Sequence, residues 1–86
     1  MAAAEILATD TTEASSSDIT LTAAFTLVAL KAAADGAKVF VESKDDEGGY
    51  NVIDTLSSSY NSRLLAPGVY RFSRPAGPSV GVFQAA

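Results

Sequence analysis

The chain has 86 residues with no Cys and no His, which fits one small domain and excludes disulfide bonds, imidazole or thiolate metal ligands and histidine-dependent catalytic triads. Ten carboxylates against six basic residues give a net charge of -4, so the chain is a poor match for the phosphate backbone of a nucleic acid. A domain this small offers little cleft, and we expect no cofactor.

The first 18 residues are predicted to form an extended acidic and polar arm. They carry four carboxylates and no basic residue, and residues 8–18 have too little apolar surface to join a core. Ile6 and Leu7 are apolar, and we expect them to anchor the arm. The start of the chain lacks the basic residue and the apolar run of a signal peptide, and no apolar stretch approaches the ~20 residues that span a bilayer. We therefore expect synthesis in the cytoplasm and no membrane contact.

Residues 19–86 are predicted to form one all-β domain. Residues 19–22 alternate apolar and β-branched polar side chains, as a half-buried strand does. Residues 25–31 are an apolar run typical of a buried strand, although the alanines within 23–34, followed by Gly36, also fit a helix. Two further strands, 37–44 and 50–56, are joined by an acidic, glycine-containing hairpin loop at 45–49.

The last third continues this pattern of short strands and turns. Residues 57–62 are predicted to be a polar crossover, and Pro67-Gly68 fits the central positions of a type II turn. Strands at 69–74 and 80–84 follow. About six short strands punctuated by Gly and Pro predict a small antiparallel β-sandwich or barrel. Tyr70 stands just after the turn, and we expect its hydroxyl to bond back to the turn backbone, as in sandwich corners.

Several predicted strands carry apolar side chains on both faces. Adjacent residues of a strand point to opposite faces, and apolar pairs occur at 27–28, 39–40, 52–53, 69–70 and 82–83. An isolated antiparallel sandwich normally has polar residues on its outer faces. We therefore expect the arm or other subunits to cover part of the outer surface, with ordinary exposed apolar residues as the alternative.

The acidic loop is a candidate metal site. Residues 45–47, with Asp35 or Asp54, have the oxygen ligands that calcium prefers. Their spacing lacks the alternating ligands and the distal glutamate of a calcium loop, so we interpret the loop as a solvated hairpin tip and predict no metal site. None of the three lysines stands in a Ser-Lys motif. We predict no catalytic residue and no enzymatic activity.

Charge is distributed unevenly along the chain. Segments 1–18, 19–54 and 55–86 carry net charges of -4, -3 and +3. The last segment has three arginines and no carboxylate, which predicts an arginine-bearing β-face. An acidic arm of one copy would fit across the arginine face of its neighbour; the alternative is that both are solvated surfaces of a monomer. The candidate interface residues are Glu5, Ile6, Leu7, Asp10, Arg63, Arg71 and Arg74.

Three segments resemble small β-sandwich virion proteins of tailed bacteriophages: DGAKVFVE at 35–42, LAPGVYRFSRP at 65–75 and VGVFQ at 80–84. Proteins of this class decorate capsids or form part of fibres. The resemblance implies a homo-oligomeric structural subunit of the virion, most simply a capsid decoration or cement protein, with a partner such as the major capsid protein. The residues leave a second hypothesis open, a secreted or surface module that binds carbohydrate through Tyr50, Tyr60 or Tyr70.

Overall fold

Nine β-strands and no helix are present between residues 4 and 85, the range that a computed structural model describes. In chain order the strands are β1 Ala4–Asp10, β2 Ala14–Ser15, β3 Ile19–Leu21, β4 Thr26–Lys31, β5 Lys38–Lys44, β6 Tyr50–Ser57, β7 Ser62–Leu65, β8 Gly68–Arg74 and β9 Val80–Gln84. The helix considered for residues 23–34 is not formed, because β4 occupies that segment.

The strands form two antiparallel sheets packed face to face. The first sheet has the strand order β1-β9-β4-β7, and the second has the order β2-β8-β5-β6, with β3 also paired to β8. Both sheets are built from antiparallel pairs, for example β4 with β9 and β5 with β8. The predicted small antiparallel sandwich is therefore confirmed, with nine strands instead of about six.

Alternation along the strands places one set of side chains between the sheets. In β4, Val28 and Leu30 point inward, and in β8 the inward residues include Tyr70 and Phe72. Phe72 is fully buried at the centre of this core. Removal of such apolar surface from water, at about 25 cal/mol per Å², is the main stabilising term of the fold. The buried apolar residues are Leu7, Leu21, Val28, Leu30, Ala37, Val39, Val41, Leu56, Leu65, Tyr70, Phe72, Val80 and Val82.

One predicted turn folds as expected and another differs. The loop at 45–49 joins β5 to β6 and is closed by a 2.8 Å hydrogen bond from the main-chain amide of Asp45 to the carbonyl of Gly49. Gly68 has a φ of 156°, far from the value of about +80° that a type II turn requires. The reason is that Gly68 already pairs with Leu21 as the first residue of β8.

The polar crossover predicted at 57–62 is confirmed, because this segment leads from β6 in the second sheet to β7 in the first. Ser57 and Tyr60 exchange main-chain hydrogen bonds of 2.9 and 3.1 Å in a tight turn, and β7 begins directly afterwards at Ser62. The two serines between them fit such a turn, since short polar side chains tolerate turn backbone geometry.

Residues 4–15 belong to the sandwich, so the domain boundary predicted at residue 18 does not separate an arm from the fold. β1 pairs with β9 at the edge of the first sheet, and β2 pairs with β8 in the second. Leu7 enters the core, with 8% of its surface exposed. Gly81 allows this close approach, because a Cβ there would lie 2.8 Å from the carbonyl oxygen of Leu7. Residues 1–3 of the predicted arm lie outside the described range.

Candidate functional site

The two outer faces of the sandwich differ in chemistry. On the second sheet the outward side chains are mostly polar or charged, with Phe40 and Val52 as apolar members: the polar ones are Ser15, Lys38, Glu42, Lys44, Arg71 and Ser73. On the first sheet the outward side chains around β4 are mostly apolar: Phe25, Leu27, Ala29, Leu64 and Phe83. We call the first set the polar face and the second set the apolar face.

Cross-strand register brings the residues of the apolar face together. Leu27 of β4 lies opposite Leu64 of β7, and Ala29 lies opposite Phe83 of β9. Phe25, just before β4, is 68% exposed, Leu64 is 59% exposed and Leu27 is 39% exposed. Neighbours in register on one sheet face are in reach of each other. These residues therefore form a continuous apolar surface, in contrast to the single exposed apolar residues that any protein has.

The sequence predicted only part of this face. The apolar pairs at 27–28 and 82–83 indicate strands that are apolar on both sides, and Leu27 and Phe83 are the outward members of these pairs. Phe25 and Leu64 are not among the predicted interface residues. The pair at 64–65 carries the same signal, because Leu64 points outward and its neighbour inward in β7.

Ion pairs lie on two sides of the apolar face. At the end of β4, the ammonium group of Lys31 contacts the carboxylate of Glu5 in β1. On the other side, Arg63 Nη1 donates to Asp54 Oδ2 at 2.7 Å and joins β7 to β6 across the open side of the sandwich. The hydrogen bond from Arg63 lowers the pKa of Asp54 below its ordinary value. Each pair is neutral as a unit.

The polar face is ordered around Tyr50. The guanidinium carbon of Arg71 lies 3.6 Å from the ring centroid of Tyr50, a cation–π arrangement. The same guanidinium donates to Glu42 Oε1 through Nε at 2.7 Å and approaches it through Nη2 at 2.6 Å. Glu42 Oε2 also accepts a 3.2 Å bond from the hydroxyl of Ser73. The charges of Arg71 and Glu42 are thus satisfied within the polar face.

Asp18 extends this network to the segment between β2 and β3. Its carboxylate accepts a 2.5 Å hydrogen bond from the Tyr50 hydroxyl and a 2.9 Å bond from Lys44 Nζ. These bonds lower the pKa of Asp18 and raise the pKa of Tyr50 and of Lys44. The hydroxyl and the ring of Tyr50 are therefore both engaged within the chain.

The three arginines predicted to form one face lie in three places. Arg63 closes the side of the sandwich, Arg71 lies on the polar face, and Arg74 is 3% exposed in the interior. Arg74 donates to the main-chain carbonyls of Ala8 at 2.6 Å and Thr12 at 2.7 Å. Alternation along β8 sends residues 71 and 74 to opposite sides of the sheet, so the predicted arginine-bearing face is not formed by the residues of the described range.

The four predicted interface residues of the N-terminal segment also have different surroundings. Glu5 pairs with Lys31 beside the apolar face, and Asp10 is exposed at the end of β1. Ile6 packs against the core from a half-buried position, and Leu7 is part of the core. Contact of any of them with a partner stays a prediction.

A shallow cleft of about 370 Å³ lies at the margin of the polar face. Its lining includes Glu13, Ser15, Phe40 and Ser73. The half-buried ring of Phe40 supplies an apolar wall, and the hydroxyl oxygens of Ser15 and Ser73 are 3.0 Å apart. This combination of one aromatic ring and a few polar groups suits a small polar ligand.

The first carboxylate of the acidic loop, that of Asp45, stabilises the loop itself. Asp45 Oδ1 accepts from the main-chain amides of Glu47 at 2.9 Å and Gly49 at 2.8 Å, and Oδ2 accepts from Asn51 Nδ2 at 3.0 Å. These bonds lower the pKa of Asp45. Within residues 4–85, no three potential ligand side chains come together as a metal site.

No protein-family model, curated protein or solved structure matches the chain. Across the described part of the chain, no helix is long and apolar enough to cross a membrane. Function is therefore inferred from the surfaces of the sandwich. The apolar face is the candidate site, because the exposed Leu27 and Leu64 lie side by side on it and Phe25 next to them is 68% exposed.

Proposed function

We propose that this chain is a non-enzymatic structural subunit of a multi-copy assembly and that its apolar face contacts a neighbouring subunit. The observation that supports this is the contrast between the outer faces, with Leu27 opposite Leu64 on one and Glu42 paired with Arg71 on the other. The second sheet also has an exposed apolar residue in Val52, but that residue lies opposite the charged Glu42. On the first sheet the exposed Leu27 and Leu64 lie opposite each other. A sheet face of this kind is normally covered by another surface.

Covering the apolar face contributes favourable free energy. A Phe side chain removes on the order of 200 Å² from water when it is buried, at about 25 cal/mol per Å². Phe25 is 68% exposed, so its coverage alone contributes on the order of 3 kcal/mol. A domain of this size has a modest core, and contacts between subunits would add substantially to its stability.

The setting we propose is the virion of a tailed bacteriophage, with the chain as a capsid decoration or cement protein. The segments 35–42 and 65–75 resemble such proteins, and a symmetric particle provides every copy with the same neighbours. The partner in this setting is a coat subunit such as the major capsid protein, together with further copies of this chain. The lack of His and Cys supports a role without catalysis.

The proposal is tested by sedimentation of a tagged chain expressed in its native source. We expect the chain in a fast-sedimenting particle, in many copies per particle by quantitative mass spectrometry. Leu64→Glu, on the apolar face, should remain in the slow fractions. Val52→Glu is the matched control, because Val52 is 58% exposed and lies opposite Glu42 on the other sheet; it should sediment with the particle. A wild-type chain confined to slow fractions contradicts the proposal.

The cleft beside Phe40 favours a second candidate function, a module that binds carbohydrate. The tyrosines predicted for this role support it less, because Tyr70 is 8% exposed and Tyr50 is engaged by Arg71. Tyr60 is 48% exposed but does not line the cleft. Titration with a panel of glycans, followed by amide chemical shifts, tests this function. Saturable shifts around Phe40 and Ser15 would favour it, and an unchanged spectrum would count against it.

A further inference from the structure

We propose that the surface covering the apolar face is the same face of a second copy, packed sheet on sheet about a two-fold axis. This inference rests on the proposed function and names the neighbour that the apolar face contacts. The two sheets of one copy already pack face to face around their own core. Stacking of two outer sheets at about 10 Å uses the same geometry.

The pattern of large and small side chains makes the apolar face complementary in shape to a second copy of itself. Leu27 and Leu64 lie opposite each other and form a ridge across β4 and β7. The next outward position on each strand is small, with Ala29 opposite Ser62. A two-fold axis between ridge and hollow places the leucine ridge of each copy over the Ala29–Ser62 hollow of the other. Large side chains then meet small ones in both directions, as in a packed core.

Charge does not oppose this contact, although the chain carries a net charge of -4. Glu5 lies opposite Phe83 at the edge of the apolar face and is paired with Lys31 of its own copy. Asp54 is paired with Arg63, the neighbour of Leu64. The acidic hairpin loop at 45–47 belongs to the second sheet. The apolar face is therefore locally neutral and brings no like charges together across the two-fold axis.

The size of the apolar face indicates the class of interface expected. Four strands about 4.8 Å apart, with about six residues each, cover roughly 400 Å². A standard interface removes about 800 Å² per partner, which is about a sixth of the 4714 Å² surface of this chain. The apolar face with its polar rim thus lies at the lower end of stable interfaces. We expect a reversible dimer with a Kd in the micromolar range.

The closing experiment is sedimentation velocity of the purified full chain from about 1 to 500 μM, a range that brackets a micromolar Kd. We expect the weight-average mass to rise from monomer to dimer. Leu64→Glu should raise the Kd by roughly tenfold or more, since it places a charge in each half of the interface, and Val52→Glu should leave the Kd within about twofold. Both sites are exposed in the single chain, so circular dichroism should show both variants folded.

A dilution series of amide spectra locates the contact independently of any substitution. Concentration-dependent shifts should fall on β4, β7 and β9, with one set of resonances at saturation, as a two-fold dimer requires. Shifts confined to β5, β6 and β8 would overturn the assignment of the face. A higher oligomer without a dimer would overturn the two-fold arrangement.

Failure of this inference is distinguishable from failure of the proposed function. In one outcome the chain stays monomeric at 500 μM and still enters the native particle, with Leu64→Glu preventing entry. That result would show that a second copy does not cover the apolar face, and that the face contacts another subunit instead. A monomeric chain that is also absent from the particle overturns both. Dimerisation that Leu64→Glu does not weaken overturns the inference alone.

Discussion

The hydroxyl of Tyr70 donates a 2.8 Å hydrogen bond to the main-chain carbonyl of Ala66, four residues earlier and across the turn that begins β8. The ring of Tyr70 also lies against Gly68, where an added Cβ would be 3.5 Å from the phenol oxygen. One side chain therefore fixes the turn from inside the core. The bond leaves neither the hydroxyl nor the carbonyl without a partner in a part-buried position, where an unmade hydrogen bond is costly.

Replacing Tyr70 by Phe should destabilise the fold by about 1 to 2 kcal/mol, because the carbonyl of Ala66 loses its partner while the ring stays in place. Urea unfolding measures the difference in the free energy of unfolding. Tyr60→Phe is the comparison, since the Tyr60 hydroxyl is bonded to Asp54 at a position that is 48% exposed, where loss of the bond should cost less than at Tyr70. Equal effects of the two substitutions would contradict the structural role of the Tyr70 hydroxyl.

Features that depend on neighbouring residues could be predicted from the sequence. The Tyr70 bond follows from its distance to the turn. The strand at 25–31 follows from an apolar run, and the strand at 69–74 from its place between Gly68 and Pro75. The N-terminal strands could not be predicted in this way. β1 is mostly exposed and has only two large apolar residues. Its position depends on the missing side chain at Gly81 and on hydrogen bonds from Arg74, both more than 60 residues away in sequence.

Only part of the candidate site could be predicted from the sequence. Adjacent apolar residues indicate strands with two apolar sides, but which outward residues share a face depends on the pairing of β4 with β7 and β9. The arginines illustrate the opposite case. Their proximity in sequence predicts a common face, yet the odd spacing of Arg71 and Arg74 in one strand puts one on the surface and the other in the core.

Arg74 holds the N-terminal segment onto the sandwich, and Arg74→Met should release it. The guanidinium donates to the carbonyls of Ala8, Thr12 and Val80, and hydrogen bonds from charged groups contribute about 1.5 to 3 kcal/mol each. We expect a loss of about 2 to 4 kcal/mol by urea unfolding, with faster amide exchange in β1 than in β5. Arg71→Met is the matched control on the surface and should cost less than about 1 kcal/mol.

Gly81→Ala should displace β1 from the edge of the first sheet. The added Cβ would lie 2.8 Å from the carbonyl oxygen of Leu7 and 2.7 Å from Thr9 Oγ1, and overpacking of this kind costs about 1 to 3 kcal/mol. The substitution is measured by urea unfolding in the full chain and in a chain lacking residues 2–10. The cost should be much smaller in the shortened chain, because two of the three close contacts are with β1 and the third is with the flexible end of Lys31. A cost that persists there would place the effect elsewhere in β9.

Acidification should remove the contribution of Asp18 to stability. Its pKa is lowered below the ordinary value of 3.8 by hydrogen bonds from Tyr50 and Lys44, so the native state favours the charged form. The contribution is therefore complete above about pH 4 and is lost as the pH falls through the native pKa. We expect the stability difference between wild type and Asp18→Asn at pH 7 to shrink towards zero at low pH. Asp46→Asn, in the exposed loop, is the charge-matched control.

Carboxyl resonances provide a direct measurement of the same coupling. The Asp18 side chain should titrate with an inflection below 3.8 in the wild type, and the inflection should move upward in Tyr50→Phe, because the largest stabilising bond to the carboxylate is removed. The Asp45 inflection serves as the internal reference, since its partners are the loop amides and Asn51. An Asp18 inflection that Tyr50→Phe leaves unmoved would show that the phenol does not stabilise the carboxylate, and the tie between residue 18 and the hairpin would then depend on Lys44 alone.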